Sequence, residues 1–176
     1  MSSELRVDKI IPTDGVPTGG GGGVIQVQSV TKTDAYQKPS GTSFVDVPGL
    51  SVSITPKFST SKILVMYDLS WSASDGHISC RLMRDSTAIK VGDASGSRTQ
   101  ATGQWHETSG DQYDIGQVAG THMDSPATAS AVTYKMQVGT PYSSSYDLRV
   151  NYQGDDSNQS WVGRTASSIT VMEISA

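Results

Sequence analysis

Four aromatic residues, three histidines, one cysteine and two pairs of aspartates are the side chains of this sequence best suited to carry chemistry. Trp105, Tyr113, Tyr142 and Trp161 sit in or near polar stretches. Aromatic faces flanked by Asp and Asn suit sugars, and exposed aromatics mark candidate contact surfaces, although edge packing accounts for many of them. His77, His106 and His122 never pair at i, i+4, and His106-Glu107 is not followed by a second His at metalloprotease spacing, so each is read as structural. Cys80 alternates with Ile78 and Leu82, the pattern of a buried, inert thiol, and a lone cysteine forms no intramolecular disulfide. Glycoside hydrolysis needs a carboxylate pair, for which Asp111 with Asp114 or Asp155 with Asp156 are the candidates, but these are loop neighbours with no geometric support. Gly154-Asp155-Asp156 reads as a solvated turn, and the Asp and Asn at 153–158 lack the calcium-loop consensus. The run Gly19–Gly23 lacks the Lys-Ser/Thr of a phosphate loop, and no Gly-x-Ser-x-Gly elbow is present. The expectation is a protein with no catalytic residues, no metal and no cofactor.

The elements that hold these residues read as strands. Leu occurs 6 times against 16 Val and 10 Ile, which favours β-branched strands over helices, and no window carries a helical stripe. Period-two alternation puts Leu50, Val52 and Ile54 on one face of a strand; Ile63, Val65, Tyr67, Leu69 and Trp71 share another. The same pattern runs through Ile78–Leu82, Val132–Val138 and Tyr146–Tyr152. Ser168–Ile174 has apolar residues on both faces, which suits a central strand or one facing a neighbouring subunit. Pro48-Gly49, Asp75-Gly76, Gly92-Asp93, Ser109-Gly110, Ser125-Pro126, Gly139-Thr140-Pro141 and Gly154-Asp155 punctuate the runs. Eight to ten strands without intervening helices predict an all-β fold, an antiparallel β-sandwich or jelly roll. Residues 92–131 are the least regular and are expected to form long loops with one or two short strands.

Three segments follow: an arm at 1–18, a glycine linker at 19–23 and the sandwich domain at 24–176. The domain is long enough to bury roughly two-thirds of its unfolded surface without a metal or disulfide. In the arm, Leu5 and Val7 alternate properly while Ile10 and Ile11 follow a change of parity near Lys9. These four are the candidate anchoring residues, by strand addition or apolar insertion. Gly19, Gly20, Gly21, Gly22 and Gly23 form a hinge that, as coil, spans roughly 12 Å. Net charge is −4 and no Lys/Arg cluster exists, which argues against nucleic acid; the apolar runs are far too short for membrane insertion. Glu4, Arg6, Asp8 and Lys9 interrupt the N-terminus, so no secretion signal is expected and the protein is made in a cytoplasm.

The run S-S-E-L-R-V-D-K-I-I-P-T-D-G-V-P-T-G-G-G-G-G-V-I-Q-V resembles the start of small virion structural proteins of tailed phages, notably those infecting marine cyanobacteria. The resemblance continues through residues 49–56, 61–66, 81–98, 125–135 and 164–174, while 99–124 and 139–163 match no pattern of that family. It implies a non-enzymatic virion component of tail-fibre or appendage type, located in the virion and partnered by other virion proteins. A sandwich with an inner strand near its C-terminal end also resembles the trimeric jelly rolls of tumour necrosis factor, complement C1q heads and phage fibre tips, which implies a homotrimer. On this reading Trp105, Tyr113, Tyr142 and Trp161 are candidate host-contact residues, and a host surface glycan is a candidate partner whose weak binding several copies would reinforce. Two rivals stand beside it: a capsid decoration or head-fibre protein, and a carbohydrate-binding module.

Overall fold

A computed structural model of the chain describes residues 23–107 and 113–175. Its strands are β1 (Val24–Lys32), β2 (Tyr36–Gln37), β3 (Val45–Ile54), β4 (Lys62–Ala73), β5 (Gly76–Arg84), β6 (Thr87–Ile89), β7 (Gly103–Glu107), β8 (Gly116–Asp124), β9 (Val132–Gly139), β10 (Leu148–Val150) and β11 (Ser167–Ile174). No helix occurs among the described residues. The strands form two antiparallel sheets packed as a sandwich, the expected all-β class.

In the first sheet β4 is the central strand. One edge pairs with β8, from Ile63↔Asp124 to Trp71↔Gly116. The other edge is shared: β11 takes residues 62–68 and β10 takes 71–73, with β1 outside β11 and β2 outside β10. In the second sheet β5 is central, with β9 and then β3 on one side. Its far edge is shared by β6 against Leu82–Arg84 and β7 against Gly76–Cys80. The registers define two ends. Val24, Ile54, Lys62, Arg84, Asp124 and Ile174 lie at the lower end; Ala73, Gly76, Glu107, Gly116 and Leu148 lie at the upper one.

The core is built by the alternation legible in the sequence. Ile63, Val65, Tyr67, Leu69 and Trp71 face Ile78, Cys80, Leu82, Tyr134, Met136 and Val138 across the sandwich, all of them buried. β11 lies between β1 and β4, with Ile169 and Val171 inward and Met172 and Ile174 half-buried on the outer face.

Three expectations are corrected. Among the described residues the strands number eleven rather than eight to ten, because β2, β6 and β10 are only two or three residues long. Within 92–131, β8 is a full nine-residue strand, not a short one. Its inward positions are Gly116, Val118, Gly120, His122 and Asp124, which show no apolar alternation to read. The run Tyr146–Tyr152 is strand only at Leu148–Val150, because Asn151 has φ +67° and turns the chain away. The fully buried Asn151 then pins the junction where β10 takes over from β11. Its Nδ2 donates to the Lys32 and Asp34 carbonyls at 2.9 and 3.2 Å, and its Oδ1 accepts from Ser167 Oγ at 2.6 Å.

Candidate functional site

The inward face of β8 sets how closely the two sheets meet. At the lower end Asp124 reaches the second sheet. Both carboxylate oxygens accept from Arg84 Nη1, at 2.8 and 2.9 Å, and Oδ2 also accepts from the buried Tyr134 hydroxyl at 2.7 Å. Burial first, then this bond to a carboxylate, pushes the Tyr134 hydroxyl well above the usual tyrosine range. Midway, Gly120 offers no side chain, and Lys90 Nζ crosses the gap to donate to Tyr67 Oη at 2.9 Å. A Cβ at 120 would lie 2.7 Å from both of those atoms.

At the upper end Gly116 again offers no side chain. A cavity of about 280 Å³ opens there, lined by Trp71, Ser72, Ala73, Ile78, Trp105, Asp114, Ile115 and Gly116. Trp71 is 2% exposed, and among the described residues its Nε1–H has no hydrogen-bond partner. A Cβ at 116 would sit 3.2 Å from that nitrogen, so the glycine keeps a side chain off the indole edge. Trp105 pairs in register with Ile78 on β5, which turns its ring toward the space between the sheets, and it is 48% exposed at the mouth.

The opposite face of β7 borders a second groove of about 250 Å³, lined by His77, Ser97, Thr99, Gln104, Pro141 and Tyr142. His77 and His106 are register partners 29 residues apart, and their rings stack at 4.0 Å and 7°. Tyr142 meets His77 edge-on at 5.7 Å and stacks with Tyr146 at 6.1 Å. Tyr146 in turn covers the β4–β5 turn. Gly76 there has φ +79°, and a Cβ on it would fall 1.9 Å from the Tyr146 ring, so only glycine fits.

The four candidate contact aromatics are all exposed, and all belong to the upper part of the molecule or the loop folded over it. Tyr113 precedes β8; its carbonyl accepts from Gln153 Nε2, and Gln153 Oε1 accepts from the backbone N–H of Gly163. One glutamine thus ties the Tyr113 segment to the loop that carries Trp161. Ser70 and Ser72 on the outer face of β4 are buried, and bond to the Ala166 and Tyr152 carbonyls at the two ends of that loop. Trp105 and Tyr142 line different cavities, and Tyr113 and Trp161 line neither.

Two of the four carboxylate candidates are otherwise engaged. Asp155 accepts from the Ser157 backbone N–H and hydroxyl, and Asp156 pairs with Arg164. Asp114 lines the cavity, while Asp111 lies outside the described residues. Cys80 is buried, and desolvation pushes its thiol up to about 12. Among the described residues no three His, Cys, Asp or Glu side chains converge to hold a metal ion. The arm residues Leu5, Val7, Ile10 and Ile11, and hinge residues Gly19 to Gly22, lie outside the described residues. Gly23 is described: its carbonyl accepts from the Ser175 N–H at 3.0 Å, at the lower end.

Sequence reasoning missed the histidine stack and the Gly116 gap. Both depend on pairing register, and the one available signal was the recurrence of Gly, Val, Gly, His and Asp at every second position from 116 to 124.

Fold and site together define an antiparallel β-sandwich with an aromatic-lined cleft at one end. No family model and no curated protein matches the chain. Among solved structures it is similar to a chain in the structure of infectious bursal disease virus Gx strain, at 14% identity over 85% of this chain and 39% of that one, with a TM-score of 0.43. It is similar also to a chain in the structure of the Gt strain of that virus, at 11% identity over 97% of this chain and 44% of that one, with a TM-score of 0.43. The chain spans less than half the length of either.

Proposed function

We propose that this protein is a non-enzymatic structural component of a phage particle, a fibre or appendage module that its N-terminal arm anchors to other virion proteins while the far end of the sandwich contacts the host. The observation that carries this reading is the polarity of the body. Gly23, immediately before β1, lies at the lower end beside the end of β11, while the cleft lies at the upper end. An arm attached at Gly23 therefore leaves the cleft pointing away from the attachment. The resemblance of 2–27 and five further segments to virion proteins supports the same reading.

A second feature supports self-association, and the homotrimer follows the resemblance to trimeric jelly rolls. Val27, Met172, Leu64 and Met123 are register partners on successive strands and form one row across the outer face of the first sheet. The row spans about 14 Å at ordinary strand spacing. Val27 and Met123 are 48% and 47% exposed, and Ile174, Val24 and Met66 extend the patch. A face of this kind suits burial against a second copy better than lasting contact with water.

Particles carrying a protein deleted for residues 1–18 test the anchor: the truncated chain is expected to be absent from purified virions, and normal incorporation would overturn the reading. Sedimentation of the full chain tests the assembly. A trimer that Val27→Asp or Met123→Asp dissociates is expected; a monomer at micromolar concentration, or a trimer indifferent to both changes, would refute the interface.

A further inference from the structure

A buried indole N–H without an acceptor is an unfavourable feature that folding alone does not explain. Among the described residues the Trp71 N–H has no acceptor; Trp71 is one of the residues that line a cavity, and Gly116 sets no side chain against its Nε1. The rest of the lining is specific in kind. Trp105 offers an aromatic face at the mouth, Ala73, Ile78 and Ile115 give apolar walls, and Asp114 adds a carboxylate, while the Ser72 hydroxyl is taken by the Tyr152 carbonyl. Among the described residues no Lys or Arg lines the space.

We propose that this cleft is a subsite for one ring of a neutral saccharide. A pyranose has an apolar C–H face that packs on an aromatic ring, and a rim of hydroxyls that both accept and donate. The Trp71 N–H supplies the donor such a hydroxyl oxygen accepts from. The Asp114 carboxylate, with about four lone-pair sites, supplies an acceptor beside whatever else it bonds. A phosphate or acidic sugar would meet a carboxylate and no cation. A quaternary ammonium would suit two tryptophans and an acid, but it carries no acceptor and would leave the Trp71 N–H without a partner. At about 280 Å³ the cavity lies just below the range that takes drug-sized ligands, which sets the occupant at about one ring. Binding of one ring is expected to be weak, about millimolar, and several copies on one particle make it effective. The proposal deepens the host-contact reading and rests on it for biological sense, not for its chemistry.

The test follows the tryptophan indole N–H resonances of the full chain, labelled with ¹⁵N, during titration with glucose, galactose, mannose, N-acetylglucosamine, glucuronic acid and tetramethylammonium. At least one neutral sugar is expected to shift the Trp71 Nε1–H peak, with glucuronic acid and tetramethylammonium inert. Gly116→Ala places a methyl against Trp71 Nε1 and is expected to abolish the shift; a melting curve checks that it folds. Trp105→Ala alters a half-exposed side chain and is expected to weaken binding about tenfold, the loss of one aromatic stacking contact. The proposal is overturned if no neutral sugar moves the peak, if both variants bind as the wild type does, or if tetramethylammonium is the ligand that binds. Sugar binding by a protein that purified particles lack would keep the subsite and discard the virion role. Particle incorporation without sugar binding would do the reverse.

Discussion

Replacing Glu173 by Gln tests how the lower end of the sandwich is held. Glu173 lies on the inward face of β11 and is fully buried, an unusual place for an acid. Its Oε1 accepts from the Lys57 backbone N–H at 2.7 Å, and its Oε2 accepts from Gln26 Nε2 at 2.6 Å. Gln26 Nε2 also donates to the Thr55 carbonyl at 2.7 Å, so one carboxylate joins β1, β11 and the turn after β3. Burial by itself would raise its pKa. The hydrogen bonds, that of Gln26 first, outweigh burial and hold it below the ordinary 4.5. Glutamine keeps the shape but offers one acceptor oxygen, and its amide group faces a donor. The loss is one hydrogen bond to a charged group, worth about 1.5–3 kcal/mol, partly offset because the neutral amide is easier to bury; the net is about 2 kcal/mol. For a body of this size that lowers Tm by about 4–8 °C. The sign with pH is fixed by the lowered pKa. The contribution of Glu173 is fully present above the unfolded carboxyl value and is lost as pH falls through the folded one. Thermal or urea melts of both proteins at pH 7 and pH 3 should therefore show a gap that narrows in acid. Comparing the two proteins matters, because Asp46, which burial raises but Lys135 and Gln137 lower still further, adds its own acid dependence. A Glu173→Gln protein that melts with the wild type at pH 7, or a gap of equal size at both pH values, would refute the clip.

Other substitutions read other parts of the frame. Tyr134→Phe removes a buried hydroxyl from Asp124 and should cost about 1–2 kcal/mol in urea melts; an unchanged midpoint would show that the Arg84–Asp124 pair holds the lower end without it. Asn151→Asp sets an acceptor against the Lys32 and Asp34 carbonyls, so a loss of about 3 kcal/mol is expected; a loss under about 1 kcal/mol would contradict the pinning role. Cys80 should resist a thiol reagent such as iodoacetamide at pH 8 in the native protein and react at once in denaturant, since burial holds its thiol near 12. Rapid native labelling would mean that the β5 region opens.

What the sequence made legible follows from which faces are apolar. β4, β5 and β9 carry Val, Ile, Leu, Tyr and Met at every second position, and these strands and their buried residues were readable directly. Cys80 was readable for the same reason. Trp71 was legible as the last residue of an apolar strand face, but its unpaired N–H was not, because what surrounds an indole edge comes from strands distant in sequence. The aromatic Trp105 stood out, yet its place at a strand position facing the gap depended on pairing with Ile78, which no local pattern encodes. The same holds for the His77–His106 stack: two histidines without ligand spacing become neighbours only through register.

β8 concentrates this lesson, because what hid it is also what gives it a role. An edge strand facing the core normally fills the space between sheets with branched side chains. This one presents Gly116 and Gly120 inward, and so reads as loop. Without those side chains the sheets need other links, and the links differ along the strand. Asp124 ties the lower end to Arg84 and Tyr134, Lys90 bridges the middle to Tyr67, and among the described residues a cavity remains beside Gly116. The sandwich is therefore held shut where the chain enters and open where the aromatic residues gather. A valine at 116 would give β8 a more legible alternation, but its Cβ would already crowd the Trp71 indole at 3.2 Å, so glycine here answers to the tryptophan opposite it.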